Sequence, residues 1–338
     1  MLHIGFIYDG AVNDGAWSQL WDTFGRQYIE QTFGNKVTVN FKQNVPEDPT
    51  AAQAAQSLIQ SGDTLIFPAS AGYNTYLEPV AKAHPNVMFD EFETTYIGPN
   101  YKDMDVNIAQ PAYVAGMMMA AACHCDTMGT VQPFAFPGLI TVVNALELGA
   151  QAINPNIKLK VLFVSSFYDP AKETLAAKSL VSSGAGAISS SVDDPSVCVV
   201  AESDNVPCAS EQLVNGPSFG PKTFLVSWWY VWKPAMKEIV GDVLAGKAPP
   251  DYLVDSWPQG GVGLGALGDN YNKLVPAADQ AKIKAAETGL ENGTFHVYKG
   301  PIEDQTGTVR IPAGTTWTAK QNLAMTWFVN GVIGSAKP

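Results

Sequence analysis

Short apolar runs and longer helical patterns take turns along this chain with a regularity that leaves few folds open. After an opening run at His3 to Ile7, runs of strand length follow at Val37 to Phe41, Thr64 to Phe67, Val87 to Phe89, Val106 to Ile108, Gly129 to Phe134, Lys158 to Val164, Ala187 to Ser190 and Thr223 to Ser227. Helical periodicity fills the gaps, at Gln19 to Phe33, Thr50 to Ser61, Tyr73 to Ala83, Gln110 to Cys123, Leu139 to Ile153, Ala171 to Ser182 and Lys233 to Ala245. A parallel strand can reach its neighbour only by a right-handed crossover. Repeated βα units therefore predict an α/β class with doubly wound sheets covered by helices on both faces. One sheet of this many strands would be large, so two sheets of five or six strands are expected, with a break near Asp126. A near-repeat supports the division. Asn35-Lys36-Val37-Thr38-Val39 leads through a helix to Ser61-Gly62-Asp63-Thr64, and Asn156-Ile157-Lys158-Leu159-Lys160 leads through another to Ser183-Gly184-Ala185. The expected lobes are residues 1–125 with 230–250, and residues 126–229 with 251–338.

Charge narrows the partners. The 338 residues carry 20 basic and 32 acidic side chains, a formal net charge of −12, which argues against nucleic acid or an anionic membrane surface as partner. A small neutral or cationic ligand fits better. No apolar run approaches the ~18–20 residues that a membrane-spanning helix needs. No basic segment followed by an apolar one opens the chain, and it reads as a mature domain whose export signal has been trimmed and Met1 added, although a cytosolic protein with no signal would look the same.

The opening run stops at Asp9-Gly10, and a helical pattern starts after Asn13-Asp14-Gly15-Ala16-Trp17-Ser18-Gln19. The carboxyl end of a first parallel strand opens into a crevice into which the next helix points its N–H groups. Trp17 is expected at the lip, as a flat stacking surface. Several catalytic signatures are missing: the chain has no HExxH, CxxC or Walker sequence and no dinucleotide fingerprint after its first strand. Asp193 with Asp194, or Glu202 with Asp204, could serve as an acid and base pair, but capping or ligand binding is the plainer role. Gly260-Gly261-Val262-Gly263-Leu264-Gly265 lacks the helix start and the Lys-Ser/Thr of a phosphate loop and reads as irregular connection. Gly300 to Gly307 reads as turns around a hairpin, and Ala319 to Val332 as a last amphipathic helix. Cys198 and Cys208 could close a short loop, a pairing the sequence leaves open. Cys123 and Cys125, around His124, are expected to be buried, inert thiols, since a closed zinc site needs about four donors. Neither metal nor cofactor is expected.

Together, Asn-Asp-Gly-Ala-Trp-Ser-Gln, Ser166-Phe167-Tyr168-Asp169-Pro170, the Ser183-Gly184-Ala185 turn, Gly300-Pro301-Ile302-Glu303-Asp304-Gln305 and Met325-Thr326-Trp327-Phe328-Val329 resemble the basic membrane protein family of ABC-transporter substrate-binding proteins. The resemblance spans essentially the whole chain. It implies a type I periplasmic-binding-protein fold, two lobes joined by a hinge with the ligand cleft between them. It also implies location outside the cytoplasm, periplasmic or lipid-anchored, and delivery of a ligand to a membrane permease by a monomer. The best-understood members bind purine nucleosides.

Carried over onto matching positions, the resemblance makes Asp14 and Trp17 the first-loop acid and stacking aromatic, and Phe167 the second aromatic wall. Asp193 in Ser191-Val192-Asp193-Asp194-Pro195 would meet the base edge. The segments expected to hold a ribose depart from the family pattern, reading Ala109-Gln110, Ala201-Glu202-Ser203 and Val226-Ser227-Trp228 with no Lys. A vicinal diol is held best by charged partners, and an indole would fill the sugar's space. A free purine base is therefore expected ahead of a nucleoside. The candidate ligand-binding residues are Tyr8, Asp14, Trp17, Ser70, Tyr73, Gln110, Phe167, Asp193, Glu202, Trp228 and Trp257. A ligand-sensing domain of a signalling system is the alternative function, with a nucleoside-processing enzyme behind it.

Overall fold

A computed structural model describes residues 1–337, the side chain of residue 266 excepted. The strands in chain order are β1 (Leu2–Ile7), β2 (Val37–Lys42), β3 (Leu65–Pro68), β4 (Met88–Phe92), β5 (Tyr101–Val106), β6 (Thr127–Gln132), β7 (Lys158–Phe163) and β8 (Ile188–Ser190). They continue as β9 (Cys208–Glu211), β10 (Phe224–Tyr230), β11 (Tyr252–Asp255), β12 (Val262–Leu267), β13 (Ile302–Glu303), β14 (Val309–Ile311) and β15 (Val332–Ile333). The chain divides into two compact units. Unit 1 holds Met1–Val106, Val231–Asp255 and Gln259–Gly261, and unit 2 holds Asn107–Tyr230, Ser256–Pro258 and Val262–Pro338.

Unit 1 carries a six-stranded sheet in the order β11-β5-β4-β3-β1-β2, all parallel. Unit 2 carries a seven-stranded sheet in the order β12-β10-β9-β8-β6-β7-β15, parallel except for β12. Both sheets start in the middle, send the second strand to one side and the third to the other. This is the doubly wound α/β plan expected from the alternation, repeated once. In each, the point where strand order reverses, between β1 and β3 or between β6 and β8, is where such sheets bind ligands at their carboxyl ends.

The core of unit 2 is built around two helices, Ala109–Cys123 and Pro137–Gln151, that are apolar nearly all round and buried over almost their whole length. They touch backbone to backbone. A β-carbon at Gly116 would lie 2.1 Å from the Leu146 carbonyl oxygen, and one at Gly149 would lie 1.9 Å from that of Tyr113, so only glycine fits at either crossing point. This packing explains why the chain passes from unit 1 to unit 2 at Val106–Asn107 and not at residue 125, where the sequence pattern puts the boundary. The helix Ala109–Cys123 looks from sequence like the last element of the first lobe, but its main packing partners, Pro137–Gln151 foremost, are in the second.

Four further expectations are corrected. The glycine-rich run at Gly260 to Gly265 is not irregular, because Val262 onward forms β12, antiparallel to β10. The last helix covers only Ala319–Asn322. Its continuation is diverted by Asn144, whose side chain donates to the Trp327 carbonyl and accepts from the Val329 N–H, while Thr141 donates to the Asn322 carbonyl. Met325, Phe328 and Val329 are thereby buried without helical geometry, and Val332–Ile333 pairs with β7. The strand expected at Val106 to Ile108 runs earlier, from Tyr101 to Val106. Cys123 and Cys125 are joined to each other as a disulfide rather than remaining thiols, with His124 between them in the left-handed conformation at φ 50°. The open question at Cys198 and Cys208 resolves as a disulfide as well. The turns at Gly300 to Gly307 do frame a hairpin, β13 with β14.

Candidate functional site

In unit 1 the polar groups of the loops after β1 and β3 are satisfied within the unit, although elsewhere in it one oxygen each of Asp90, Glu91 and Asp255 and the Trp21 indole N–H are buried without a partner. Asp14 acts as the cap of the helix that begins at Trp17, because its two oxygens accept the N–H groups of Ala16 (2.8 Å), Ser18 (2.9 Å) and Gln19 (3.1 Å). That helix opens into a π-helical turn over Asp22–Arg26 before continuing as Gln27–Phe33. Trp17 is 8% exposed and donates its indole N–H to the Ala69 carbonyl at 2.6 Å. Its ring is packed among Phe92 at 5.0 Å and Trp21 and Trp232 at 5.9 Å each. Ser70, one loop away, donates to Glu47 and accepts from the Gly72 N–H. Asp9 accepts from the Gly10 N–H and from Ser18, and burial pushes its pKa up to about 6. Tyr8 and Tyr73 lie in the core: Tyr8 stacks on Phe6 with its hydroxyl 3.5 Å from Asp22, and Tyr73 donates to the Val45 carbonyl at 2.7 Å.

Unit 2 differs. Phe167, after β7, packs against Phe134 at 5.2 Å and Phe136 at 6.3 Å, both just past the end of β6, in a half-exposed aromatic trio. Asp193 joins the same place, because its N–H donates to the Phe167 carbonyl at 2.9 Å. Asp194 caps the helix Ser196–Asp204 by accepting the Ser196 N–H. Gln110 and Trp257 also meet, the Gln110 side-chain carbonyl accepting the Trp257 backbone N–H at 2.8 Å. Glu202 is elsewhere. It accepts from the Lys222 N–H and the Thr223 hydroxyl at the amino end of β10, the opposite end from the crest where the strands' carboxyl ends lie, and so fixes a turn.

Beside the aromatic trio lies a row that the sequence reading found only in part. The register pairs Val131 with Ser190, Ser190 with Ser210, and Ser210 with Ser227. One residue further along each strand come Gln132, Ser191, Glu211 and Trp228. In-register residues of a parallel sheet share a face, so these four side chains form one transverse row at or next to the carboxyl ends of β6, β8 and β9 and alongside on β10. All are buried, Glu211 at 4% and Trp228 at 0% exposure. The Gln132 side-chain oxygen, the Ser191 hydroxyl, both Glu211 oxygens and the Trp228 indole N–H have no hydrogen-bond partner. Ser191, Tyr230 and Trp228 face the Glu211 carboxylate and favour its charge, yet burial still pushes its pKa up to about 7. Orphaned polar atoms are costly in a protein interior, and a row of them at a strand-end crest is the chemistry of a site that a polar ligand completes. Of the row, Trp228 is legible from sequence as an aromatic at a strand end. Glu211 is missed because Cys208-Ala209-Ser210-Glu211 is too short and polar a run to read as a strand.

Residues 1–288 match the family described as ABC transporter substrate-binding protein, PnrA-like. A purine-binding protein of Brucella abortus is 28% identical over 336 residues, covering 98% of this chain and 93% of the relative. Among solved structures, an ABC-transporter solute-binding protein from Aeropyrum pernix K1 superposes with TM-score 0.71 at 15% identity, over 90% of this chain and 93% of that one. A second, from Conexibacter woesei, gives TM-score 0.68 at 20% identity over 88% and 98%. The solved structures speak to the fold alone, and it is the periplasmic-binding-protein fold expected from the sequence. The match over most of its length shows that this chain belongs to the PnrA-like, or basic membrane protein, family of ABC-transporter substrate-binding proteins, which capture a small molecule outside the cytoplasm for a membrane permease.

Proposed function

We propose that this substrate-binding protein captures a purine-type ligand, the free nucleobase ahead of the nucleoside, and presents it to its permease as an exported or lipid-anchored monomer. The observation that carries the reading is the pairing of Glu211 with Trp228 at one register position of unit 2. A carboxylate with both oxygens unused calls for N–H or O–H donors, and the buried indole beside it takes the volume that a pentose would need. The Phe134, Phe136 and Phe167 trio supplies the flat apolar wall, and a stacked base gains roughly 1–3 kcal/mol from each such wall. The similarity to a purine-binding relative over nearly the whole chain points the same way. Nothing in this reading requires a chemical step; the ligand is bound and released unchanged.

Isothermal titration with free purines, the corresponding nucleosides and glucose tests it. The expected order is base tighter than nucleoside by at least about tenfold, with no heat from glucose. A nucleoside bound far more tightly than its base overturns the preference, and a protein that binds only the sugar overturns the purine assignment.

A further inference from the structure

Resting on that purine reading, we infer that the site discriminates among purine bases, with Glu211 accepting two adjacent N–H donors from one edge of a 2-amino-6-oxopurine, the guanine class, in preference to hypoxanthine. The inference comes from counting unused hydrogen-bonding groups along the row. Gln132 has committed one of its two amide N–H groups to the Thr130 hydroxyl at 2.8 Å, and Thr130 also accepts from Ser189 at 3.0 Å, so Gln132 offers the crest its unused oxygen and at most one further N–H. Glu211 adds two acceptor positions, Ser191 a hydroxyl that can take either role, and Trp228 a single donor. Acceptors outnumber donors. The matching ligand edge is rich in N–H groups with one acceptor beside them.

Among purine edges, that of guanine presents O6, N1–H and the 2-amino group in sequence, one acceptor followed by two donors. A carboxylate takes the two adjacent donors in the two-pronged manner in which it receives a guanidinium, each bond strengthened by the charge. The indole N–H at the register-paired position is the neighbouring donor for O6. Hypoxanthine has the same ring size, the same O6 and the same N1–H but lacks the 2-amino donor, so it leaves one Glu211 oxygen buried without a partner. A site built around a hydrogen bond rejects the analogue that cannot make it, whereas shape alone barely separates the two. The fold already holds this carboxylate in place. Ser190 and Ser210, on the opposite face of the same strands, bond to each other at 3.1 Å and tie β8 to β9 beneath Ser191 and Glu211.

The test is a pair of titrations, on the wild-type chain and on Glu211→Gln. The wild type should bind guanine at least about tenfold more tightly than hypoxanthine. Glu211→Gln replaces one acceptor oxygen with an amide donor, which clashes with a donor pair but suits the O6 and N1–H edge of hypoxanthine. The preference should therefore vanish or invert. Should the variant fail to fold, the wild type titrated with 1-methylguanine gives an independent reading, because blocking N1–H should weaken binding at least about tenfold. A wild type that binds purines without favouring guanine, or a Glu211→Gln protein that keeps the wild-type order, overturns this inference and leaves the purine reading standing. A wild type that binds no purine overturns the purine reading itself.

Discussion

The strand ends of β1 to β3 in unit 1 and the crest row of unit 2 are built on one topology and put to opposite use. In unit 1 the polar groups at those ends have found partners within the unit: Asp14 on three backbone N–H groups, Trp17 on the Ala69 carbonyl, Ser70 on Glu47, Asp9 on Gly10 and Ser18. In unit 2 the corresponding edge keeps Gln132, Ser191, Glu211 and Trp228 partly or wholly without partners, although all are buried. A satisfied crest contributes to folding stability, whereas an unsatisfied one subtracts from it. Substitutions in the two places should therefore move stability in opposite directions, and that opposition can be measured.

The largest effect is expected at Trp17. Replacing it by alanine removes the packing against Phe92, Trp21 and Trp232 and the hydrogen bond to Ala69, and should cost about 3–5 kcal/mol of unfolding free energy in denaturant titration. Trp17→Phe, which keeps a ring in the cluster, should recover much of that loss. A stability loss below about 1 kcal/mol for Trp17→Ala would show that the ring is not part of the unit 1 core and would remove that side of the contrast.

Glu211 should behave in the opposite sense, and pH exposes it. Its folded pKa of about 7 lies above its unfolded value, near 4.5, so the folded protein binds more protons than the unfolded one between those limits. Stability therefore falls as pH rises through that window, and the carboxylate costs on the order of 3 kcal/mol above pH 7 at about 1.4 kcal/mol per unit. Glu211→Gln removes this titration. The ligand-free variant should exceed the wild type in stability by up to about that amount at pH 8 and match it at pH 4.5. Glu147 and Glu173, also pushed up to about 7 by burial, remain in both proteins and cancel in the difference. A difference that does not change with pH would show that Glu211 is not held charged and unpaired.

The same contrast explains what could be read from the sequence. The doubly wound plan was legible because parallel strands buried on both faces carry continuous apolar runs, and Trp17 with Asp14 was legible because a strand, a turn and a cap lie within a few residues of one another. The crest row of unit 2 was not, since Gln132, Ser191, Glu211 and Trp228 are separated by up to 96 residues and become neighbours only through strand register. Glu202 attracted attention for its charge and its place in a pattern, but β10 begins beside it and its carboxylate closes a turn. Likewise the tail from Leu323 to Val332 has helical spacing in its apolar residues, and only the side chain of Asn144, nearly two hundred positions away in sequence, turns it into a buried irregular segment.

The smallest effects make the finest comparison, between Asp14→Ala and Ser191→Ala. Both remove small polar groups from a loop at a strand end. Asp14→Ala leaves the N–H groups of Ala16, Ser18 and Gln19 without their acceptor at a helix start and should cost about 1–2 kcal/mol. Ser191→Ala removes a buried hydroxyl that has no hydrogen-bond partner and only faces the Glu211 carboxylate, so the stability of the ligand-free protein should change by no more than about 1 kcal/mol. Ligand affinity should separate them the other way, since the Ser191 hydroxyl is free to meet a bound molecule and the Asp14 oxygens are occupied. If Ser191→Ala destabilises the protein as much as Asp14→Ala does and leaves binding intact, then the hydroxyl is structural, and the unit 2 row is an interior like that of unit 1 rather than a surface waiting for a ligand.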